Sequence, residues 1–141
     1  MTRTEFQLPL GNSIENISID EVRKIMIDEF ETYWEKGSGD GSIDFYIDDE
    51  KISTLLLEPN KEYGMYLNYT DFRTDREWLS VYDKNNLDNV VETAYEIYVS
   101  RGLLLPKELA FEGIKYFLEC GEKLSKIEWI QPEEIPEGGN Y

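Results

Sequence analysis

Apolar side chains first fall into a clear rhythm at Val22, Ile25, Met26, Phe30, Tyr33 and Trp34, spaced as one stripe of a helix. Ser18-Ile19-Asp20-Glu21 stands before them as a capping box. The Ser18 hydroxyl accepts from the Glu21 amide, and Asp20 and Glu21 suit the positive end of the helix dipole. Lys36 lies in the last turn and Gly37 is placed to cap it. The spacing predicts a helix over residues 19–36.

The rhythm then shortens to two. Ile43, Phe45 and Ile47 alternate with Asp44 and Tyr46 in a strand over Ser42–Ile47. Lys51–Leu57 ends in an apolar run, the pattern of a strand buried on both faces. Glu58-Pro59-Asn60-Lys61 has the composition of a turn. In Tyr63–Tyr69, residues Tyr63, Met65, Leu67 and Tyr69 share one face, with Gly64, Tyr66 and Asn68 on the other. After a polar loop over Thr70–Arg76 comes a strand at Glu77–Tyr82. Tyr95, Ile97 and Val99 alternate, which places a strand near 93–100. Pro106 then opens a helix over 107–120, with Phe111, Ile114, Phe117 and Leu118 at helical spacing and Gly121 at its end. Lys126–Ile130 is a last strand.

The ends of the chain are less regular. Phe6-Gln7-Leu8-Pro9-Leu10 reads as an edge strand or an extended arm, since Pro9 is barred from a central strand. Residues 1–16 are therefore expected as an irregular arm. Residues 131–141 are expected as an acidic tail with too many breakers for regular structure. With no internal repeat or linker, residues 1–141 read as one domain. Strands grouped in sequence between helices indicate an α+β fold, an antiparallel sheet of about five to six strands with two main helices mostly on one face.

Charge narrows the function. The 141 residues carry 14 bases and 30 acids, a net charge of −16. Such a field repels nucleic acid and anionic lipid and attracts a cationic surface. The protein is expected to bind neither nucleic acid nor membrane directly, and a basic protein is the natural partner. The ordinary alternative is an acidic surface that only keeps the chain in solution. No histidine is present, which removes the commonest general base and zinc ligand. One cysteine, Cys120, forms no intrachain disulfide, and without a histidine to activate it reads as an inert thiol. The N-terminal residues lack the apolar core of a signal peptide, so the protein is expected in the cytoplasm.

The stretch Gly37-Ser38-Gly39-Asp40-Gly41, running on to Glu50, concentrates acids without a base. Asp40-x-Ser42-x-Asp44 begins like a calcium loop, but Phe45 stands where such a loop needs glycine and Lys51 where it needs a bidentate glutamate. No Gly-Lys-Ser/Thr follows for a phosphate loop. Paired carboxylates of a hydrolase are available among 30 acids, but no pair is singled out. Neither a metal nor a cofactor is expected. Trp34 and Trp129 read as core, while Trp78, after an exposed loop, is more open to an interface role. One of Tyr63 and Tyr66 is expected at the surface as a binding hot spot, and Tyr66 joins the candidate set. The candidate partner surface is thus Asp40, Asp44, Asp48, Asp49 and Glu50 with Tyr66 and Trp78, extended by Glu133, Glu134 and Glu137 of the tail.

Taken together, Trp34 with Gly37–Gly41, Leu57–Asn60 leading to Tyr63–Leu67, Trp78–Val81, Gly102–Pro106 and Ile127–Trp129 resemble the immunity-one family of bacterial polymorphic-toxin systems. The resemblance covers most of residues 30–130 as a spacing pattern. It implies a small α+β protein that neutralises a cognate toxin by direct binding, often a nucleic-acid deaminase or nuclease. The alternatives are an acidic DNA mimic or adaptor, and a small carboxylate-dependent hydrolase.

Overall fold

The computed structural model describes residues 1–94 and 96–141. Its strands are β1 (Thr2–Gln7), β2 (Ser13–Glu15), β3 (Gly41–Ile47), β4 (Glu50–Asn60), β5 (Gly64–Asp71), β6 (Arg76–Val81), β7 (Val90–Glu92), β8 (Tyr98–Ser100) and β9 (Glu128–Ile130). The helices are α1 (Ile19–Arg23), α2 (Phe30–Tyr33) and α3 (Lys107–Cys120). Seven strands make one antiparallel sheet in the order β2-β1-β3-β4-β5-β6-β9, and β7 and β8 pair as a separate hairpin. The expected α+β fold is present, with more strands than the sequence pattern predicts.

The additional strands come from the N-terminus. Residues 2–7 pair along β3 and residues 13–15 cover the other side of β1, so the expected irregular arm is part of the sheet. Pro9 lies outside both strands, in the turn where Leu8 donates to the Asn12 carbonyl. A β1 that stops at Gln7 satisfies the constraint that proline imposes on a strand.

One face of the sheet carries Phe6, Ile43, Leu55, Leu57, Leu67 and Tyr69, packed beneath the helices in the main core. Val22, Ile25, Met26, Phe30 and Trp34 form the expected stripe above them. The predicted helix 19–36 is interrupted, however. Lys24–Asp28 form a π-helical turn between α1 and α2, in which the Glu29 amide reaches back to the Lys24 carbonyl at 2.8 Å. Widening a turn frees carbonyls. Trp34 Nε1 donates to the Ile25 carbonyl at 3.1 Å and Lys107 Nζ to that of Ile27 at 3.2 Å.

The opposite face is only half covered. Tyr66, Leu79, Val81 and Ile130 lie beneath Val99, Leu103 and Leu104 in a second cluster. β5 is consequently the strand buried on both faces, from Gly64 to Tyr69. β4, expected to be so, instead alternates and leaves Leu56 41% exposed. Of the strand predicted near 93–100, the described residues form β8 at Tyr98–Ser100, which pairs with β7 in a hairpin. Tyr95 lies outside the described residues.

The covering segment also enters the sheet. Met65 and Leu105 exchange backbone hydrogen bonds at 2.8 Å in each direction, so residues 103–105 occupy the gap where β5 and β6 diverge. Ser80 bridges that gap, accepting from the Leu67 amide at 3.0 Å and donating to the Leu103 carbonyl at 2.9 Å. Because Met65 turns its polar groups toward Leu105, Pro59 fits opposite it inside β4, and the turn predicted at 58–61 begins only after Asn60. Gly64, at φ +117, is required here because a Cβ would stand 1.8 Å from the Leu105 carbonyl oxygen.

Candidate partner-binding surface

The glycines of the 37–41 stretch serve the fold. A Cβ on Gly37 would lie 1.9 Å from the Pro9 carbonyl oxygen, and one on Gly41 would crowd the Gln7 carbonyl and the Trp34 ring. Ser38 secures the turn by donating its amide to Pro9 at 2.9 Å. The chain leaves α2, folds over the β1–β2 turn and enters β3 as the sequence predicts.

The five acids that follow are divided along β3: Asp40 stands just before it, Asp44 within it, and Asp48, Asp49 and Glu50 at the turn into β4. Asp40 and Asp44 are four residues apart in extended chain, about 13 Å, so they do not converge on one cation. Asp40 accepts from the Ser38 hydroxyl at 2.6 Å. Asp44 is largely buried beside Thr54, which donates to it at 2.8 Å, with Lys51 Nζ at 3.5 Å. Asp48 and Asp49 are the central residues of the β3–β4 hairpin at φ +49 and +67, the two positive values a tight two-residue turn demands. Their carboxylates hold the Met1 amine at 2.6 Å and Arg3 at 2.9 Å. Both are thereby tied to the start of β1, while Glu50 beside them is exposed and unpaired among the described residues.

The other sequence candidates lie elsewhere. Trp78 is on the helical face opposite Tyr69, half-buried, with Lys123 Nζ 4.8 Å above its ring. It is covered from its own side of the sheet, so it does not join the acids. Tyr66 is 2% exposed, not at the surface, because the second cluster covers it. Burial holds its hydroxyl far above the ordinary tyrosine range. Glu133, Glu134 and Glu137 follow β9, which is separated from β3 by three strands. The tail is better ordered than expected. Residues 132–134 make a short 3-10 turn in which Glu134 accepts the Gln131 amide at 2.7 Å. Asn140 exchanges bonds with Ser100 and reaches the Tyr98 carbonyl at 2.6 Å.

A different group of acids and acceptors converges on the half-covered face. Gly41 pairs with Leu57, which puts Asp40 beside Glu58, and Glu58 pairs with Tyr66 across β4 and β5. Burial first, and then the Asp40 charge, pushes the Glu58 carboxyl up to about 7, against a weak bond from the Thr93 hydroxyl at 3.4 Å. One step along, Leu56 pairs with Asn68 and Asn68 with Leu79. Asn68 donates to the Tyr66 hydroxyl at 3.0 Å and to Glu77 Oε2 at 2.7 Å, while its own Oδ1 is buried without a partner. The sequence shows each of these residues but not their assembly, which depends on a hairpin covering only half of the face. Alternation of Tyr66 and Asn68 opposite Met65 and Leu67 is the signal that names the side.

Two cavities of about 200 and 460 Å³ share a wall of Phe30, Glu31 and Lys61. Part of their charge is paired, Lys61 with Glu35 and Lys107 with Glu31 at 3.4 Å, while Glu62 and Glu108 of the larger one have no ion pair among the described residues. In the larger one, Arg101 stacks on the Tyr63 ring at 4.4 Å. The smaller one is lined near Asp40 and Glu58 by Gly39 and Thr93 and by neither carboxylate. Cys120 donates weakly to the Tyr116 carbonyl on its own helix. Among the described residues, no group of three or more acids or thiols is arranged to hold a metal, and no helix is long and apolar enough to cross a membrane. Comparison with protein-family models, curated proteins and solved structures finds no match.

Proposed function

We propose that this protein is a non-catalytic immunity protein that binds and neutralises a cognate bacterial toxin with a basic surface, one acting on nucleic acid. The observation that carries the reading is the distribution of charge. Among the described residues, eight of the 14 lysines and arginines are held in ion pairs, among them Lys51–Asp44, Arg73–Glu122 and Lys126–Glu112. Asp40, Glu50 and Glu77 have no cation within ion-pair distance among the described residues. Uncompensated charge speeds encounter with an oppositely charged surface and selects against the wrong one.

The resemblance to the immunity-one pattern adds to this. Its marker residues perform fold-setting tasks here: the Gly37–Gly41 turn, the Gly64 approach to Leu105, and Trp129, whose indole donates to Leu124 at 2.9 Å. A toxin that grips nucleic acid presents cations where phosphates bind, and a stable acidic surface can occupy that place.

Co-expression with the product of the adjacent gene tests the proposal. Growth rescue and a one-to-one complex on gel filtration are expected. A neighbouring product that is toxic, unprotected against and unbound would refute it. Inhibition of several unrelated nucleic-acid-binding proteins would indicate general mimicry of DNA instead.

A further inference from the structure

We infer that the boundary between the covered and open halves of the sheet, at Leu56, Glu58, Tyr66, Asn68 and Glu77, is the docking point for an arginine side chain of the protein partner. This inference rests on the immunity reading and adds to it the place and chemistry of recognition.

The first observation is an unsatisfied acceptor. Asn68 is 5% exposed, and both of its identified bonds are donated by Nδ2. That orientation is fixed by Glu77, a carboxylate that only accepts. Oδ1 is left buried and unpaired, at a cost of about 1–3 kcal/mol. An unpaired buried oxygen is retained to little purpose in a structural core. It has a use where a donor arrives with a ligand.

The second observation is the character of the surroundings. Glu77 lends one oxygen to Asn68 and lacks an ion pair, Glu58 stands one residue pair away, and the Tyr66 hydroxyl accepts from Asn68. Asn68 Oδ1 and the Glu77 carboxylate are oxygens that call for donors. Guanidinium is the side chain that supplies several donors in a planar fork and no acceptor. Leu56, exposed and adjacent to Asn68 in the register, offers the apolar platform on which the methylene stem of an arginine lies. These residues span three neighbouring strands, about 10 Å, the size of one side chain and its contacts. A lysine satisfies the charge but not the spread of acceptors.

The test uses the full chain and the toxin domain encoded beside it, with affinity followed by surface plasmon resonance and folding by thermal melt. Leu56→Arg places a like charge on the platform at an exposed position where the fold is not at stake. Glu77→Gln removes the carboxylate while keeping its bond to Asn68. Each is expected to weaken binding at least tenfold with little change in melting temperature, and Glu119→Gln on the exposed side of α3 is expected to bind as wild type. An alanine scan of the toxin's arginines should identify one whose loss costs no further affinity in the Glu77→Gln background. If wild type binds tightly and both Leu56→Arg and Glu77→Gln bind equally well, the docking point is wrong and the immunity reading stands. If wild type neither binds nor protects, both fall.

Discussion

A single hydroxyl shows how much of this fold hangs on residue-scale chemistry. Ser80 is wholly buried and serves two backbone groups that the divergence of β5 and β6 would leave unpaired. Ser80→Ala keeps the volume and orphans both groups, so a loss of about 1–3 kcal/mol is expected as a lower urea midpoint with an unchanged slope. Glu58 gives a second test at this scale. Its folded value of about 7 lies above the ordinary glutamate value of 4.5, so between these the folded state keeps a proton that the unfolded chain has released. Its contribution to stability is therefore best below pH 4.5 and declines as the pH rises through 7. Glu58→Gln is expected to raise stability at pH 8 by about 1–2 kcal/mol, discounted for its partial exposure, and to change little at pH 4. Equal melting shifts at both pH values would contradict this. Neither role is legible in the sequence, where Ser80 is one more small polar residue and Glu58 one of thirty acids. Both depend on which strands part and which segment covers them.

At the scale of elements, periodicity carried much of the information. The stripe from Val22 to Trp34, the β3 alternation and the cap at Gly121 are all found where the spacing places them. What periodicity misses is a change of partner. The π-helical turn at Lys24–Asp28 keeps the same stripe inward while handing two carbonyls to side chains, one to Trp34 nearby and one to Lys107, 80 residues further along the chain. β1 was obscured by Pro9, whose veto applies to the strand interior and leaves the six residues before the turn free to pair. The end of α3 offers a test. Gly121 adopts φ +73, its carbonyl accepts from Ser53 at 2.7 Å and Tyr69 at 3.2 Å, and a Cβ would lie 2.5 Å from the Phe45 ring. Gly121→Ala should therefore destabilise by more than the roughly 1 kcal/mol of left-handed strain alone, lowering the melting temperature by about 5 °C or more.

For the whole molecule, the controlling quantity is the net charge of −16. The charge was visible from composition, but its placement was not. Of the acids between Asp40 and Glu50, Asp48 and Asp49 are committed to the hairpin and the start of β1, whereas nothing in the sequence distinguishes Glu58 and Glu77 from the other acids. If the partner is basic, association should slow by about tenfold or more between 50 and 300 mM salt, while dissociation changes far less. A salt-independent association rate would place the contact on an uncharged surface.

The order of strands also bears on how the chain emerges from the ribosome. After the first hairpin, β3 is laid on β1, then β4 on β3, β5 on β4 and β6 on β5, each beside a strand already made. Only β9 is delayed, by about 45 residues, which is a few seconds of synthesis. Through that interval β6 would be a bare edge open to a neighbouring nascent chain. Residues 101–105 come out midway and fill the other side of β6, toward β5, with Tyr82 and Asp83 donating to the Gly102 carbonyl at 2.8 and 3.1 Å. The segment that splits the finished sheet thus seals the inner side of β6 first and leaves its outer edge unguarded on a polysome until β9 arrives.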